Sequence, residues 1–432
     1  MASLFACLRF IFFREGVLMD NVVLQNVRPF VNGIFENPMT VSLVGGKWSR
    51  EAPPEGTKVI DAKGALALPA LFALGLDFQE PVRDDIYTYK DGFNALRRGG
   101  FFGGLYESSA NPVDGIQKLV AAKDSFANCG FDIRILGAIS EGFGGKSLAE
   151  MRELVDGGVA GLGDGNKSFG TMRFLRLSLE YGAMTGKRFF FLPYDYSLAH
   201  GGYVNEGKFS DKIGMKGVPV QAETIPLYAL LSVALWLGVP LHIKQVTSKA
   251  ALDLIREFRS LHLDVTCDVD IHHLLFSEED LESLNTNLNL HPPVRTVADK
   301  DALWQGLSDG TIQAVSVNHL PVHQEDKTVN FEAAVSGAVS LEIVLPALWN
   351  ALSHRLGEPR AIEVLSAMPA KIAGANSSKL TLGEDAGLVL FDPSQTTDVS
   401  AKTFAGAVEN SPFVGTKLQG KILGSYISGF WG

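Results

Sequence analysis

Pro69-Ala70-Leu71-Phe72-Ala73-Leu74-Gly75-Leu76-Asp77-Phe78-Gln79-Glu80-Pro81 is the stretch that decides the fold. Leu71–Phe78 is an apolar run short enough for a strand buried on both faces, and a polar turn ends it. Seven more such runs follow: Phe101–Tyr106, Asp132–Ile139, Gly158–Leu162, Arg188–Leu192, Pro240–Val246, Leu263–Val269 and Ile312–Val317. Amphipathic stretches such as Ser248–Leu261 and Val297–Leu307 come after several of them. Alternation of this kind, repeated eight times, predicts an α/β fold, a (β/α)8 TIM barrel over residues 69–377. Any active site then lies at the C-terminal ends of the strands.

Outside that region the texture changes. Asn21–Phe30, Met39–Val44, Lys58–Ala62, Leu388–Pro393 and Lys421–Ile427 read as strands, and Gly45-Gly46 reads as a hairpin turn. Neither end carries enough strands for a stable sheet of its own. The economical arrangement is one small composite β-sandwich from residues 19–68 and 378–432, with the barrel inserted between. Residues 1–18 form an apolar extension outside the fold, either disordered or the product of an upstream start. Their apolar part is too short to span a bilayer, and no clear small-residue cleavage site follows it.

Hydrophobic residues make up 46% of the chain and charged residues 20%, a globular composition with ample material for a core. A formal charge of −10 argues against nucleic acid or an anionic membrane as partner. Cys7, Cys129 and Cys267 are widely separated, without a CxxC pair, which fits a reducing cytoplasm.

Several motifs together carry a family resemblance. They are Val59-Ile60-Asp61-Ala62-Lys63-Gly64, Val204-Asn205-Glu206-Gly207, Gly217-Val218-Pro219 with Ala222-Glu223, His272-His273-Leu274-Leu275, Pro292-Pro293-Val294-Arg295 and Asp309-Gly310-Thr311-Ile312. From Val22 to the C-terminus the chain resembles the dihydroorotases of the cyclic amidohydrolase superfamily, which hydrolyse ring amides with zinc. The opening stretch resembles their first barrel strand, P-G-x-x-D-x-H-x-H-x-R-E-P.

The resemblance fails where the chemistry should be. Gly75 and Asp77 stand at the two histidine positions of strand one. Asp164 matches the strand-four region, Leu192 replaces the strand-five ligand and Gln245 that of strand six. Asn318 replaces the strand-eight aspartate, which in the family is both metal ligand and general base. An amide does not titrate and cannot serve as a base. Gly75 and Leu192 offer no ligand atom. The substrate positions differ too, with Gln79 for an arginine, Ser108 and His291 for asparagines, and Val322 for a histidine. His272, His273 and His319 read best as structural histidines, and Lys244 at a strand end is either a new charged site or a cation packed near a carboxylate. Asp77, Asp164, Asp195 and Glu80 constitute an alternative, oxygen-only cation site. The strand ends are expected to enclose a cavity partly filled by Leu192, Phe78 and Val322.

Two functions compete. The first is a dihydroorotase-like protein of pyrimidine biosynthesis that is not an enzyme, carries no metal and serves as structural partner of the aspartate transcarbamoylase catalytic chain. The resemblance implies that partner, and homo-oligomerisation with it. The second is an active cyclic amidohydrolase of dihydroorotase, hydantoinase or allantoinase type, with zinc held by atypical ligands.

Overall fold

The structure, a computed structural model, describes residues 19–49 and 52–432, so the extension at 1–18 lies outside the described residues. Eight parallel strands stand side by side in chain order: β1 (Leu71–Leu76), β2 (Phe101–Tyr106), β3 (Asp132–Gly137), β4 (Gly161–Gly163), β5 (Phe189–Phe191), β6 (Leu241–Ile243), β7 (Val265–Asp270) and β8 (Ala314–Ser316). The ring closes just beyond β8, where Val317 N donates to Leu74 O at 3.0 Å and His319 bridges Leu76. The (β/α)8 barrel expected from the alternation of runs is therefore the observed architecture.

Side chains alternate along each strand, so one set fills the barrel and the other packs under the helices. Phe72, Leu74, Leu105, Leu136 and Phe190 form the interior apolar layer. Ala370, Ile372 and Ala373 belong to the same cluster. On β7, Val265, Cys267 and Val269 join the large outer core, and Asp268 turns inward to the network described below. The outer helices include α1 (Met172–Ala183), α2 (Gln221–Leu237) and α3 (Lys249–Ser260). Thr171 caps α1 through the Phe174 amide at 3.1 Å, and Ser248 caps α3 through the Ala251 amide at 3.1 Å. Among the described residues no helix is long and apolar enough to cross a membrane.

Strands from both ends of the chain combine in one curled nine-stranded sheet. Val22–Val31 is its pivot. The strand's first half pairs with Met39–Val44 and Lys58–Asp61, its second half with Leu66–Pro69. A register shift between Leu24 and Val27 separates the halves, which is how one strand serves two faces of a sandwich-like sheet. Leu388–Asp398 pairs with Leu66–Pro69 and with Lys417–Ile427. Val22, Leu24, Leu43, Trp48, Leu388 and Tyr426 lie in the core beneath.

Candidate functional site

The C-terminal ends of the strands converge on the barrel mouth. Gln245 and Asn318 face each other there, just past β6 and β8. Gln245 Nε2 donates to Asn318 Oδ1 at 3.0 Å, and Asn318 Nδ2 returns a bond to Gln245 Oε1 at 3.2 Å. Each amide thus satisfies the other. Both residues sit in left-handed backbone, φ 51° and 37°, a conformation that costs energy outside glycine and is held by the surroundings. Gly75 lies against them at φ +80°. A Cβ there would stand 3.0 Å from Asn318 Cα and 3.2 Å from Asn318 N. A side chain at this position would be strained at that φ, and no imidazole can be placed on it without moving the segment just past β8.

Next to the amide pair, Lys244 Nζ bonds Glu107 Oε2, which stands just past β2, and donates to Gly165 O at 3.0 Å. Gly165 N in turn donates to Glu107 Oε1 at 2.8 Å. Both side chains are close to fully buried. Below this bridge remains a cavity of about 20 Å³, lined by Leu74, Gly75, Leu105, Leu136, Phe190 and the surrounding polar groups. That is room for a single water and no more. Leu192, Phe78 and Val322 do not line it, contrary to expectation. Leu192 packs with Tyr194, Ala199, Val218 and Ala222. Phe78 packs in tilted and edge-to-face contacts among Tyr87, Tyr89, Phe93 and Tyr106. Val322 is buried, its amide bonded to Asn410 Oδ1 at 3.2 Å.

The carboxylates of the proposed oxygen-only site are dispersed, each engaged by its own donors. Asp77 accepts from the amides of Gln79 at 3.0 Å and Ser109 at 2.9 Å, and from the Ser109 hydroxyl. Burial still pushes its carboxyl up. Asp164 accepts from the amides of Ile139 and Ser140 at 2.8 and 2.9 Å, and burial lifts it to about 6. Asp195 caps the short helix Tyr196–Ala199, and Glu80 takes the Tyr89 amide. Among the described residues, no group of three His, Cys, Asp or Glu side chains is placed to hold a metal ion.

Of the remaining substrate positions, Ser108 and His291 have side-chain partners. Gln79 is buried, and its backbone carbonyl receives the Arg83 amide at 2.9 Å. Ser108 Oγ accepts from the Asn111 amide at 2.9 Å. His291 stacks on Tyr196, with its Nε2 3.0 Å from the Tyr196 hydroxyl, and abuts the Tyr194 ring. Burial, with Lys167 and His273 nearby, drops the His291 pKa to about 4, so the ring is neutral.

Two networks were not read from the sequence as such. In one, His242 bonds Thr266 Oγ1 at 2.9 Å and Asp268 at 2.8 Å, and Asp268 also takes the Gln245 amide and the Ser316 hydroxyl. The two-residue spacing of His242 with Lys244, and of Thr266 with Asp268, was the available signal. In the other, His272 Nδ1 stands 2.7 Å from Asp270 Oδ1. Burial alone would raise the Asp270 carboxyl, but His272 and His273 beside it hold it well below the usual range. Burial and His272 lower the His319 pKa to about 3.

The motifs shared with the family form a brace around the mouth. Arg295 Nη1 donates to Asn205 Oδ1 at 3.0 Å and to Val218 O at 2.7 Å, and Arg295 Nε donates to Thr247 Oγ1 at 3.2 Å. Thr247 then binds Glu223 through both its amide and its hydroxyl, each at 2.8 Å. Three motifs distant in sequence, those of Asn205, of Val218 with Glu223 and of Arg295, are thus tied to the end of β6.

No family model matches the chain. Curated relatives do. The dihydroorotase of Geobacter sp. (strain M21) is 30% identical over 384 residues, 88% of this chain and 90% of that protein. The dihydroorotase of Geobacter metallireducens is 31% identical over 389 residues, 87% of this chain and 89% of its own length. This chain belongs to the dihydroorotase family. Solved structures agree on the fold. The L-hydantoinase (dihydropyrimidinase) of Arthrobacter aurescens superposes with a TM-score of 0.80 at 20% identity, covering 96% of each chain. A D-hydantoinase gives 0.79 at 20% identity, covering 96% of this chain and 95% of that one.

Within the dihydroorotase frame, the zinc implied by the resemblance does not fit the residues present. The positions that should converge on it offer a glycine, a leucine and two amides already bonded to each other. The carboxylates that persist, Asp77 and Asp164, are committed to backbone and hydroxyl donors.

Proposed function

We propose that this chain is a non-catalytic dihydroorotase homologue of pyrimidine biosynthesis, retained as a structural partner of the aspartate transcarbamoylase catalytic chain. The reciprocal Gln245–Asn318 amide pair carries the reading. It puts a closed, non-titrating contact where the family needs a ligand and a base, and the Lys244–Glu107 bridge, close to fully buried, occupies the space beside it. A barrel kept after such a change is kept for its surface, because docking needs only the outer helices and loops. The test has two arms. Purified protein should carry far less than one zinc per chain and should not hydrolyse dihydroorotate above buffer. It should also co-sediment with the aspartate transcarbamoylase catalytic chain of the same organism at micromolar concentration. Stoichiometric metal, or turnover lost to a chelator, refutes the first half. Failure to co-sediment refutes the second.

The names of the relatives favour the other reading, an active dihydroorotase. It requires Asp77, Asp164 and Asn318 to release their present partners and converge on a metal. The same metal and turnover measurements decide between the two.

A further inference from the structure

Between the sheet strands Leu388–Asp398 and Lys417–Ile427, residues 399–416 leave the sheet and reach the loops of the barrel mouth. The neck of this segment is pinned, with Val399 N donating to Thr416 O and Gly415 N to Val399 O, each at 2.9 Å. A compact loop closed at its neck opens and closes as a unit. Its body meets loops that follow three strands. After β1, Gly406 lies so close to Tyr87 that a Cβ there would stand 3.0 Å from the ring. After β7, Phe413 packs against the rings of His272 and Phe276, and Ser411 O accepts from Asn287 Nδ2 at 3.2 Å. After β8, Asn410 Nδ2 donates to Leu320 O at 2.9 Å, and Asn410 O accepts from Val339 N at 3.0 Å.

One contact beneath the segment carries a titratable carboxyl. Glu342, in the turn Leu341–Ile343, is buried, and its Oε1 accepts the Ala405 amide at 2.7 Å. Its Oε2 is buried too and has no hydrogen-bond partner among the described residues. The groups that act on it are Arg98, exposed on the helix Tyr89–Gly99, and Tyr87, whose hydroxyl burial keeps protonated. Asp91 and His319 stand by Tyr87, and His319 is neutral. The segment itself carries Lys402 and Glu409, and His272 faces Phe413. A neutral carboxyl tolerates this setting. A carboxylate with one amide donor and one bare oxygen does not, because its lost hydration is only partly replaced.

We infer that Glu342 is the catch of a latch: with its carboxyl neutral the segment 399–416 stays seated on the mouth loops, and ionisation favours its release as a unit. Burial lifts the seated carboxyl from 4.5 to about 7. The seated form therefore holds the proton longer, so seating is firmest below about pH 4.5, weakens as pH rises toward 7 and levels off beyond it. By this linkage the opening constant rises about 30-fold from pH 5.5 to 8. Release uncovers Phe404, Val408 and Phe413, which are buried in the seated form, together with the loops after β7 and β8. The surface offered at the mouth thus depends on pH. This holds whether or not the mouth carries out chemistry.

Amide hydrogen exchange on the full chain, corrected for intrinsic rates, reads the opening directly. The amides of Ala405, Val339 and Val322 should exchange faster than those of β5 and β6 throughout, and their protection should fall together by about 30-fold from pH 5.5 to 8. Glu342→Gln should remove that fall, and His272→Gln should leave it in place. The wild-type profile is decisive even if a variant does not fold. Protection that stays flat with pH overturns the inference, as does exchange of the three amides in step with the barrel strands, which means that the segment opens only when the whole chain unfolds. A fall that survives Glu342→Gln, or that His272→Gln removes, also overturns it, because another group then sets the pH dependence.

Discussion

Lys244→Met is the sharpest test of how the barrel mouth is held. Lys244 is 6% exposed, and its ammonium faces only the Glu107 carboxylate and the Gly165 carbonyl. Methionine matches its length without charge. Glu107 would then keep the Gly165 amide but lose its counter-charge in a buried setting. Breaking a buried pair from one side typically costs about 3–5 kcal/mol, because the remaining charge has no compensation. Glu107→Gln should cost a similar amount from the other side. The double variant leaves no buried charge and keeps an acceptor for Gly165 N, so it should cost only about 1–2 kcal/mol. Urea unfolding with linear extrapolation resolves differences of this size. A single-variant cost below about 1 kcal/mol would refute the reasoning, because that is the range of solvated surface pairs and would mean the mouth is open to water.

Gly75→His, the reversal of one lost ligand, should destabilise the fold by more than about 2 kcal/mol and take up no zinc, as read by unfolding and elemental analysis, because the site has φ +80° and no room beside Asn318. Burial lifts the Glu342 carboxyl to about 7, and its carboxylate accepts the Ala405 amide at 2.7 Å. A raised folded-state pKa means the native state holds the proton longer, so this contribution is full below about pH 4.5 and is lost as pH rises through about 7. Glu342→Gln should flatten that decline, worth up to about 3 kcal/mol, in unfolding free energies measured from pH 4.5 to 8.

The barrel was legible because its physics is local. A strand buried on both faces leaves a short apolar run, and every one of the eight runs became a strand. That Gly75 and Leu192 carry no ligand atom was legible too, since glycine and leucine cannot coordinate whatever their surroundings. The replacements were not legible. Lys244 and Glu107 are 137 positions apart, and nothing in either segment names the other as partner. Asp77 remained a plausible ligand by residue type, and only geometry shows its oxygens given to Gln79 and Ser109. Gly75 reads in sequence as a missing side chain, whereas the structure adds a left-handed backbone at φ +80° and a close approach to Asn318.

These replacements depend on one another, which explains why the altered positions differ together. A divalent cation in a barrel mouth balances the carboxylates around it. Without it each must be protonated, hydrogen-bonded or paired with another cation, since an unpaired buried charge is costly. Two of these solutions occur here: Asp77 and Asp164 each rest on two amides and a hydroxyl, and Glu107 has Lys244. The neutral positions are linked by contact. Gly75 leaves room for Asn318, Asn318 is fixed by Gln245, and the Gln245 amide is bonded to Asp268, which also holds His242. Restoring a ligand at any one of these positions disturbs the next before a metal could compensate. A metal site at this mouth therefore requires concerted change on β1, β6 and β8, and single substitutions toward ligand residues should lose stability without gaining chemistry.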